Sequence, residues 1–97
     1  MPIYITLYKF TDQGVKAVKE SPTRAEAATK ALEAMGGKLL GLYYVMGEYD
    51  LIGIGEAPND EVAMIFALGL GSAGNVRTTT LKAFTKEQFA EFVKKLP

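Results

Sequence analysis

The stretch that most constrains the fold is 41–60, which reads GLYYVMGEYDLIGIGEAPND. Two apolar runs rich in strand-forming residues flank a short polar break at Gly47, Glu48 and Tyr49, and this pattern is typical of a β-hairpin. The second run ends at 57–60, where the residues APND mark the exit from a strand and the start of a helix. The rest of the chain must therefore be arranged around a central hairpin.

Hydrophobic periodicity and capping signals predict four strands and four helices. The predicted strands are 2–10, 38–46, 50–56 and 75–83, and the predicted helices are a short turn at 11–18 and longer segments at 21–35, 59–70 and 85–96. We expect the Ser21 hydroxyl to cap the second helix, with Pro22 at its first position, and Gly36 to end it. Gly14 weakens the prediction of the first, short helix.

The two hairpin strands carry apolar residues on both faces. Strict alternation in the first of them places Leu40, Leu42, Tyr44 and Met46 on one face and Leu39, Tyr43 and Val45 on the other. In the second hairpin strand, Gly53 and Gly55 share a face and leave room there for a bulky neighbour or a ligand. A strand that is apolar on both faces is expected to be covered on both faces.

Two further features describe the helices. Residues 62–70 are apolar nearly all round, so this helix should be wedged between the sheet and another element. Thr85 and Gln88 form a capping box, and the apolar stripe that follows predicts a C-terminal helix packed on the body of the protein.

The element order β-α-β-β-α-β-α predicts one α+β domain over 1–97, a ferredoxin-like βαββαβ fold with an added C-terminal helix. Helices that return to one side of the sheet leave its other side open. An open apolar face of this size is rare on a monomer, so we expect a homodimer in which two sheets pack face to face.

Composition excludes several classes of function. Eleven basic and eleven acidic residues cancel, so we expect neither nucleic acid nor a membrane surface as a partner. Cysteine and histidine are absent, which excludes disulfides, thiolate nucleophiles and histidine-based catalysis or metal binding. No signal peptide is recognisable, and a cytoplasmic location without cofactor or metal is the expectation.

The motif GEYD at 47–50 has two interpretations. As a functional site, Tyr49 and Asp50 would lie at the rim of a pocket, with Asp50 accepting a proton or orienting the phenol. As turn chemistry, Gly47 would supply a positive φ and Asp50 would accept backbone N–H groups. Glu48, Asp50 and Glu56 form at best a weak oxygen-ligand metal site.

Other candidate residues lie on the predicted strands. Arg77, beside Thr79, would clamp a carboxylate or a phosphate, or would pair with a nearby acidic residue or with a partner subunit. Tyr4 belongs to a set of aromatic and hydroxyl side chains that would line a pocket or form core and dimer contacts; its members are Tyr4, Thr6, Tyr8, Tyr43 and Tyr44. The run at 69–74 has the letters G-x-G-x-x-G, but it follows a helix and precedes a strand, which is the reverse of a dinucleotide site.

The blocks GEYD at 47–50, EAPND at 56–60 and NVRTTTLKAF at 75–84 resemble those of the GYD domain family, as do SPTR at 21–24 and the glycine pair at 36–37. The resemblance covers essentially the whole chain. It implies the dimeric α+β barrel type of ferredoxin-like domain, in a family of small prokaryotic proteins without an established activity.

Three hypotheses about function follow. The first is a small homodimeric ligand-binding or accessory module, with a small molecule held between helices and sheet or in the dimer barrel. The second, by analogy with related barrels, is a cofactor-independent enzyme of the monooxygenase or isomerase type that uses Tyr49, Asp50 and Arg77. The third is a structural subunit without a ligand.

The enzyme hypothesis makes a direct prediction. If Tyr49 and Asp50 are catalytic, Tyr49→Phe or Asp50→Asn should abolish turnover while the variant stays folded, as checked by circular dichroism. Loss of folding in these variants would instead favour turn chemistry.

Overall fold

The ferredoxin-like prediction is confirmed in a computed structural model that describes residues 1–97. Its elements are β1 (Ile3–Phe10), α1 (Asp12–Lys16), a 3₁₀ turn (Val18–Glu20), α2 (Ser21–Ala34), β2 (Lys38–Tyr44), β3 (Leu51–Glu56), α3 (Asp60–Ser72), β4 (Val76–Ala83) and α4 (Lys86–Lys94). The four strands form one antiparallel sheet in the order β2-β3-β1-β4, so the hairpin contributes one edge and β4 the other.

Helices α2 and α3 cover one face of the sheet. The β1 side chains on this face are those of Tyr4, Thr6, Tyr8 and Phe10, which line clefts together with residues of α2 and α3. The opposite face of β1 carries Ile3, Ile5 and Leu7, which no helix covers. We call it the open face.

Gly53 and Gly55 make room for bulky neighbours under the helices, as predicted. A Cβ atom built on Gly53 would lie 3.4 Å from the Tyr8 ring, and one on Gly55 would lie 3.5 Å from a methyl group of Leu32. Small residues on β3 therefore let large side chains of β1 and α2 pack closely on the sheet.

The predicted alternation in β2 is wrong because the strand contains a bulge. Leu39 pairs with Gly55 and Gly41 with Ile54, so Leu40 is the extra residue. The bulge puts Leu39 on the helix-covered face together with Leu42, where both line the same cleft. The strand also ends at Tyr44, two residues earlier than predicted.

The start of α2 also differs from the prediction, although its end does not. Ser21 lies inside the helix and caps nothing; its hydroxyl lies 2.9 Å from the Tyr44 hydroxyl. Helix α2 ends at Ala34, Gly36 follows with a φ of +88°, and the Gly37 N–H donates to the Leu32 carbonyl at 2.9 Å. This geometry is the glycine-terminated cap that the sequence predicted.

Helix α3 begins as predicted but is covered on one side only. The Asn59 side chain accepts a hydrogen bond from the Val62 N–H and caps the helix. Met64 and Leu68, however, are 61% and 64% exposed. The predicted second layer over this helix is therefore absent from the monomer.

Helix α4 forms, but it does not pack on the body of the protein, which corrects the prediction. The capping box between Thr85 and Gln88 is present, and Phe84 meets Phe92 edge to face at 5.2 Å. Every residue from Phe84 onward is exposed. The helix projects beyond the sheet, and its apolar side chains have no surface of the same monomer to pack against.

Gly14 anchors α1 to the loop before β4, and the reason for a glycine there is steric. A Cβ atom at this position would come within 2.0 Å of the Asn75 carbonyl oxygen, which itself accepts the Thr11 N–H at 3.0 Å. The close approach of these two backbone segments explains why position 14 is a glycine, even though glycine weakened the prediction of a helix there.

We expect Gly14→Ala to lower the free energy of unfolding by about 1–3 kcal/mol, because backbone atoms must move to accommodate the methyl group. Gly69→Ala is the matched control: it lies in α3 with no atom within 4 Å of the added Cβ, and it should stabilise the protein by about 0.5–1 kcal/mol. Urea unfolding of both variants measures the difference. Equal effects would contradict the assigned contact.

Candidate binding surfaces

The GEYD motif forms the tip of the β2–β3 hairpin. Gly47 has φ +118°, in the region that favours glycine. The Asp50 carboxylate accepts the Phe10 N–H at 2.8 Å, and the Asp50 N–H donates to the Tyr8 carbonyl, also at 2.8 Å. Asp50 thus fastens the hairpin tip to the end of β1.

Glu48 and Tyr49 gather around one lysine. The Lys9 ammonium lies 3.7 Å from the Glu48 carboxylate and 5.3 Å from the centre of the Tyr49 ring. Both groups of the ion pair are at least half exposed, so the pair contributes little to stability. The cluster holds the side chains of the tip against the end of β1.

Arg77 lies near this cluster but does not join it. Its Cα atom is paired with that of Lys9 across β1 and β4, and its guanidinium reaches the Gly71 carbonyl at 3.5 Å. None of the ion pairs in the structure includes Arg77, so the predicted pairing with an acidic residue does not occur within the monomer. Thr79 lies opposite Leu7 and is exposed.

Tyr4 lies on the helix-covered face, far from the hairpin tip along β1. Its hydroxyl donates to the Asp60 carboxylate at the start of α3, and Lys82 contacts the same carboxylate at 2.9 Å. Burial, together with this hydrogen bond, raises the pKa of Tyr4 to about 12. The hydrogen bond from Tyr4 and the contact with Lys82 lower the pKa of Asp60.

The seven predicted residues therefore do not form one site. Gly47, Glu48, Tyr49 and Asp50 share the hairpin tip with Arg77 nearby, whereas Thr79 and Tyr4 lie elsewhere on opposite faces of the sheet. Neither Tyr49 nor Asp50 lines any of the three main clefts. The sequence analysis did not propose Asp60 or Lys82 as site residues. Asp60 lies at the start of a predicted helix and Lys82 near the end of a predicted strand.

The main apolar cleft lies between α2 and α3 over the sheet and has a volume of about 570 Å³. Small residues of α2, Ala25 and Ala28, widen it, and larger apolar side chains form its floor and far wall: Leu32, Leu42, Leu51, Phe66 and Leu70. This volume falls within the range of small-molecule sites, about 300–1,000 Å³.

Polar groups are few in this cleft. Arg24 lines it and donates to the Ala17 carbonyl at 2.8 Å, and the Ser21 hydroxyl, which bonds the Tyr44 hydroxyl, lies beside it. Burial raises the pKa of Tyr8, whose ring separates this cleft from a smaller one. Arg24 is the only charged residue in the lining of this cleft, so the cleft contains no facing pair of an acid and a base.

The open face of the sheet is the second apolar surface. Ile5 lies between Ile54 on β3 and Leu81 on β4, and Leu7 lies beside Ile52. Leu81 is 47% exposed and Tyr43, at the edge of the face, is 61% exposed. The face carries β-branched and leucine side chains with no cover.

The acidic residues form no group of three or more that could hold a metal ion. None of the helices combines the length and the apolar character that crossing a bilayer requires.

Comparison with known proteins confirms the family resemblance. The GYD domain model matches residues 4–93. The chain is also 33% identical over 84 residues to the glutamine synthetase and cystathionine beta-lyase binding protein of Thermus thermophilus, a match covering 86% of this chain and 88% of that protein. No solved structure matches the chain.

The Tyr4–Asp60 contact makes a prediction about pH. Because the pKa of Tyr4 is raised from 10.0 to about 12, the neutral phenol stabilises the fold below pH 10, and this stabilisation is lost as the pH rises through about 12. The Tyr4→Phe variant should therefore lose less stability than the wild type over this alkaline range. Urea unfolding at several pH values measures it, with Tyr43→Phe as the control. An unchanged pH dependence in Tyr4→Phe would contradict the assignment.

Proposed function

Because the chain belongs to the GYD domain family, we propose that it is an accessory protein that acts as a homodimer by binding other proteins. The observation that carries the proposal is the amount of apolar side chain left without cover. Only four apolar residues are buried in the monomer, Tyr4, Leu32, Leu51 and Ala57, and none of the large side chains is fully buried. Surfaces of this kind are typical of association sites.

The open face is the surface that best supports self-association. Four strands of up to eight residues span roughly 20 Å by 26 Å, or about 500 Å² in projection. A stable interface of standard size buries about 800 Å² of accessible surface on each partner, and the accessible area of a corrugated sheet exceeds its projection. A twofold pairing of open faces therefore approaches the size of a standard interface.

The exposed faces of α3 and α4 remain available in such a dimer for other proteins. Helix α4 and the turn after it carry Phe89, Phe92, Val93 and Leu96 at helical spacing, and all four are between 43% and 68% exposed. An amphipathic helix that projects from a small domain has the form of a docking element. The related Thermus protein supports this interpretation, since its name describes the binding of two enzymes.

Small-molecule binding is a second candidate function, and the cleft between α2 and α3 is the observation that favours it. Its apolar lining, with Arg24 among the few polar groups, would suit a mostly apolar molecule that carries an acceptor or anionic group. The enzyme hypothesis has less support, because Tyr49 and Asp50 are engaged with Lys9 and the backbone of β1 rather than a cleft.

We predict that Leu81→Glu will disrupt the homodimer. A glutamate on the open face would be buried without a partner, at a cost of about 3–5 kcal/mol, so the dimer dissociation constant should rise by roughly 100-fold or more. Sedimentation equilibrium measures it, with Lys30→Glu on the exposed side of α2 as the control. A wild-type protein that is monomeric at micromolar concentration would contradict the dimer.

For the protein-binding function, glutamine synthetase and cystathionine beta-lyase from the same organism are the first partners to test. We expect saturable calorimetric binding of at least one enzyme, weakened by Phe89→Ser because this residue presents 63% of its surface on α4. Wild-type protein that binds neither enzyme at high micromolar concentration would contradict the proposal.

A further inference from the structure

We propose that the main apolar cleft, between α2 and α3, binds a straight-chain aliphatic carboxylate of roughly ten carbon atoms, with its head group near the start of α2. The inference deepens the second candidate function, small-molecule binding, and rests on it, because it names the chemical class of the ligand and its orientation. The cleft lies on the helix-covered side of the sheet, so the pairing of open faces does not reach it.

The cleft is a space that the chain itself does not fill. Its volume is about 570 Å³, and four of its large apolar side chains are only half-buried although they lie between the helices and the sheet: Leu39, Leu42, Phe66 and Leu70. A Cβ atom built on Gly69, which also lines the cleft, would have no atom within 4 Å. Apolar side chains without contact partners favour an apolar occupant.

Three polar residues of the lining gather at one end of the cleft, where β1 ends. The Ser21 hydroxyl bonds that of Tyr44, the last residue of β2, which runs in the same direction as β1. Arg24 donates to the Ala17 carbonyl just after α1, the helix that follows β1. The Asn75 carbonyl accepts the first N–H after β1. The cleft therefore has one polar end.

Arg24 and Ser21 together suit a carboxylate. The bond from Arg24 to the Ala17 carbonyl uses one nitrogen, Nη1, so the guanidinium keeps further N–H groups in a planar arrangement that matches carboxylate oxygens. Ser21 is 5% exposed and its hydroxyl bonds only that of Tyr44, so one O–H of this pair is left to donate. No acidic residue lines the cleft to repel an anion.

The opposite end of the cleft is apolar, and its distance from the polar end sets the length of the ligand. Leu32 lies eight residues after Arg24 on α2, which is about 12 Å along a helix. On β3, the span from Leu51, opposite Tyr44, to Gly55, beside Leu32, is about 13 Å. With C–C bonds of about 1.5 Å at tetrahedral angles, an extended chain of roughly ten carbon atoms covers this distance.

A helix such as α4, which also carries exposed apolar side chains, fits the cleft less well. A helix with its side chains is about 10–12 Å across, so two turns fill roughly 850 Å³, which is more than the volume of the cleft. Its apolar side chains would also cover the remaining N–H groups of Arg24 without offering an acceptor, which is costly. A narrow chain with a charged head group avoids both problems.

Sodium decanoate, titrated into the isotopically labelled dimer and followed by amide and methyl chemical shifts, tests the proposal. We expect saturable shifts at both ends of the cleft, in the amides of 21–24 and in the methyl groups of Leu32 and Leu39. Octanoate, which is two methylenes shorter, should bind at least about tenfold more weakly, since each buried methylene contributes about fourfold. Decylammonium should also bind at least about tenfold more weakly, because its charge is repelled by the guanidinium.

Variants of the protein test the two ends separately. Arg24→Gln should weaken decanoate binding about tenfold, and Arg24→Lys should restore part of the loss because it keeps the positive charge. Lys30→Gln, on the exposed side of α2, is the matched control and should bind decanoate like the wild type. Gly69→Leu places a side chain in the open space beside the glycine, so it should fold, as checked by circular dichroism, but lose decanoate binding.

Several outcomes would overturn the proposal. These are no saturable shifts at low-millimolar decanoate, shifts confined to the open face or to α4, equal binding of decylammonium, or unchanged binding of decanoate by Gly69→Leu. Nuclear Overhauser contacts between α4 and Leu42 in the free protein would show that a helix of the same or another copy already occupies the cleft, and would overturn it as well.

The same spectra separate this proposal from the second candidate function. If indole, a flat and neutral molecule, shifts the cleft residues saturably and decanoate does not, the cleft binds small molecules and the aliphatic carboxylate is the wrong class. If neither compound shifts the cleft residues, small-molecule binding there fails together with this proposal. Binding of glutamine synthetase or cystathionine beta-lyase is measured separately and depends on neither result.

Discussion

Helices cover only one face of the four-stranded sheet, and the uncovered apolar face is the physical constraint on which the proposed association depends. Ile5, Leu7, Ile52 and Ile54 would be costly to leave in water, at about 25 cal/mol for each Å² of apolar surface. Only seven of 97 residues are buried in the monomer. A domain of this size gains its stability largely from its core, so association is part of the same physical problem as folding.

Much of the fold could be predicted because local signals agreed with one another. The hairpin, the caps at Asn59 and Thr85, and the glycine that ends α2 each follow from the chemistry of a few adjacent residues. The bulge at Leu40 is absent from the prediction, although Gly41 in the strand interior is a local signal for one; the bulge moves Leu39 to the other face of the sheet. Ser21 failed as a cap because the 3₁₀ turn before it continues directly into the helix.

The position of α4 relative to the sheet could not be predicted from one chain. Its stripe of apolar residues predicts burial, but periodicity does not say whether the cover is the same chain or another. The candidate site shows a related difficulty. The pattern placed Tyr49, Asp50, Arg77 and Tyr4 in one set, whereas register separates Tyr4 from the others and joins it to Asp60 and Lys82. Contacts between residues distant in sequence needed the fold.

Small-angle X-ray scattering of the untagged protein tests the central claim, that the open faces pair and leave α3 and α4 for partners. The monomer has a Cα radius of gyration of 14.8 Å and extents of 52, 31 and 19 Å. We predict twice the monomer mass of 10.5 kDa, with growth mainly along the thinnest dimension. A monomer mass with a radius of gyration near 14.8 Å, or an end-to-end particle about twice as long, would contradict the account.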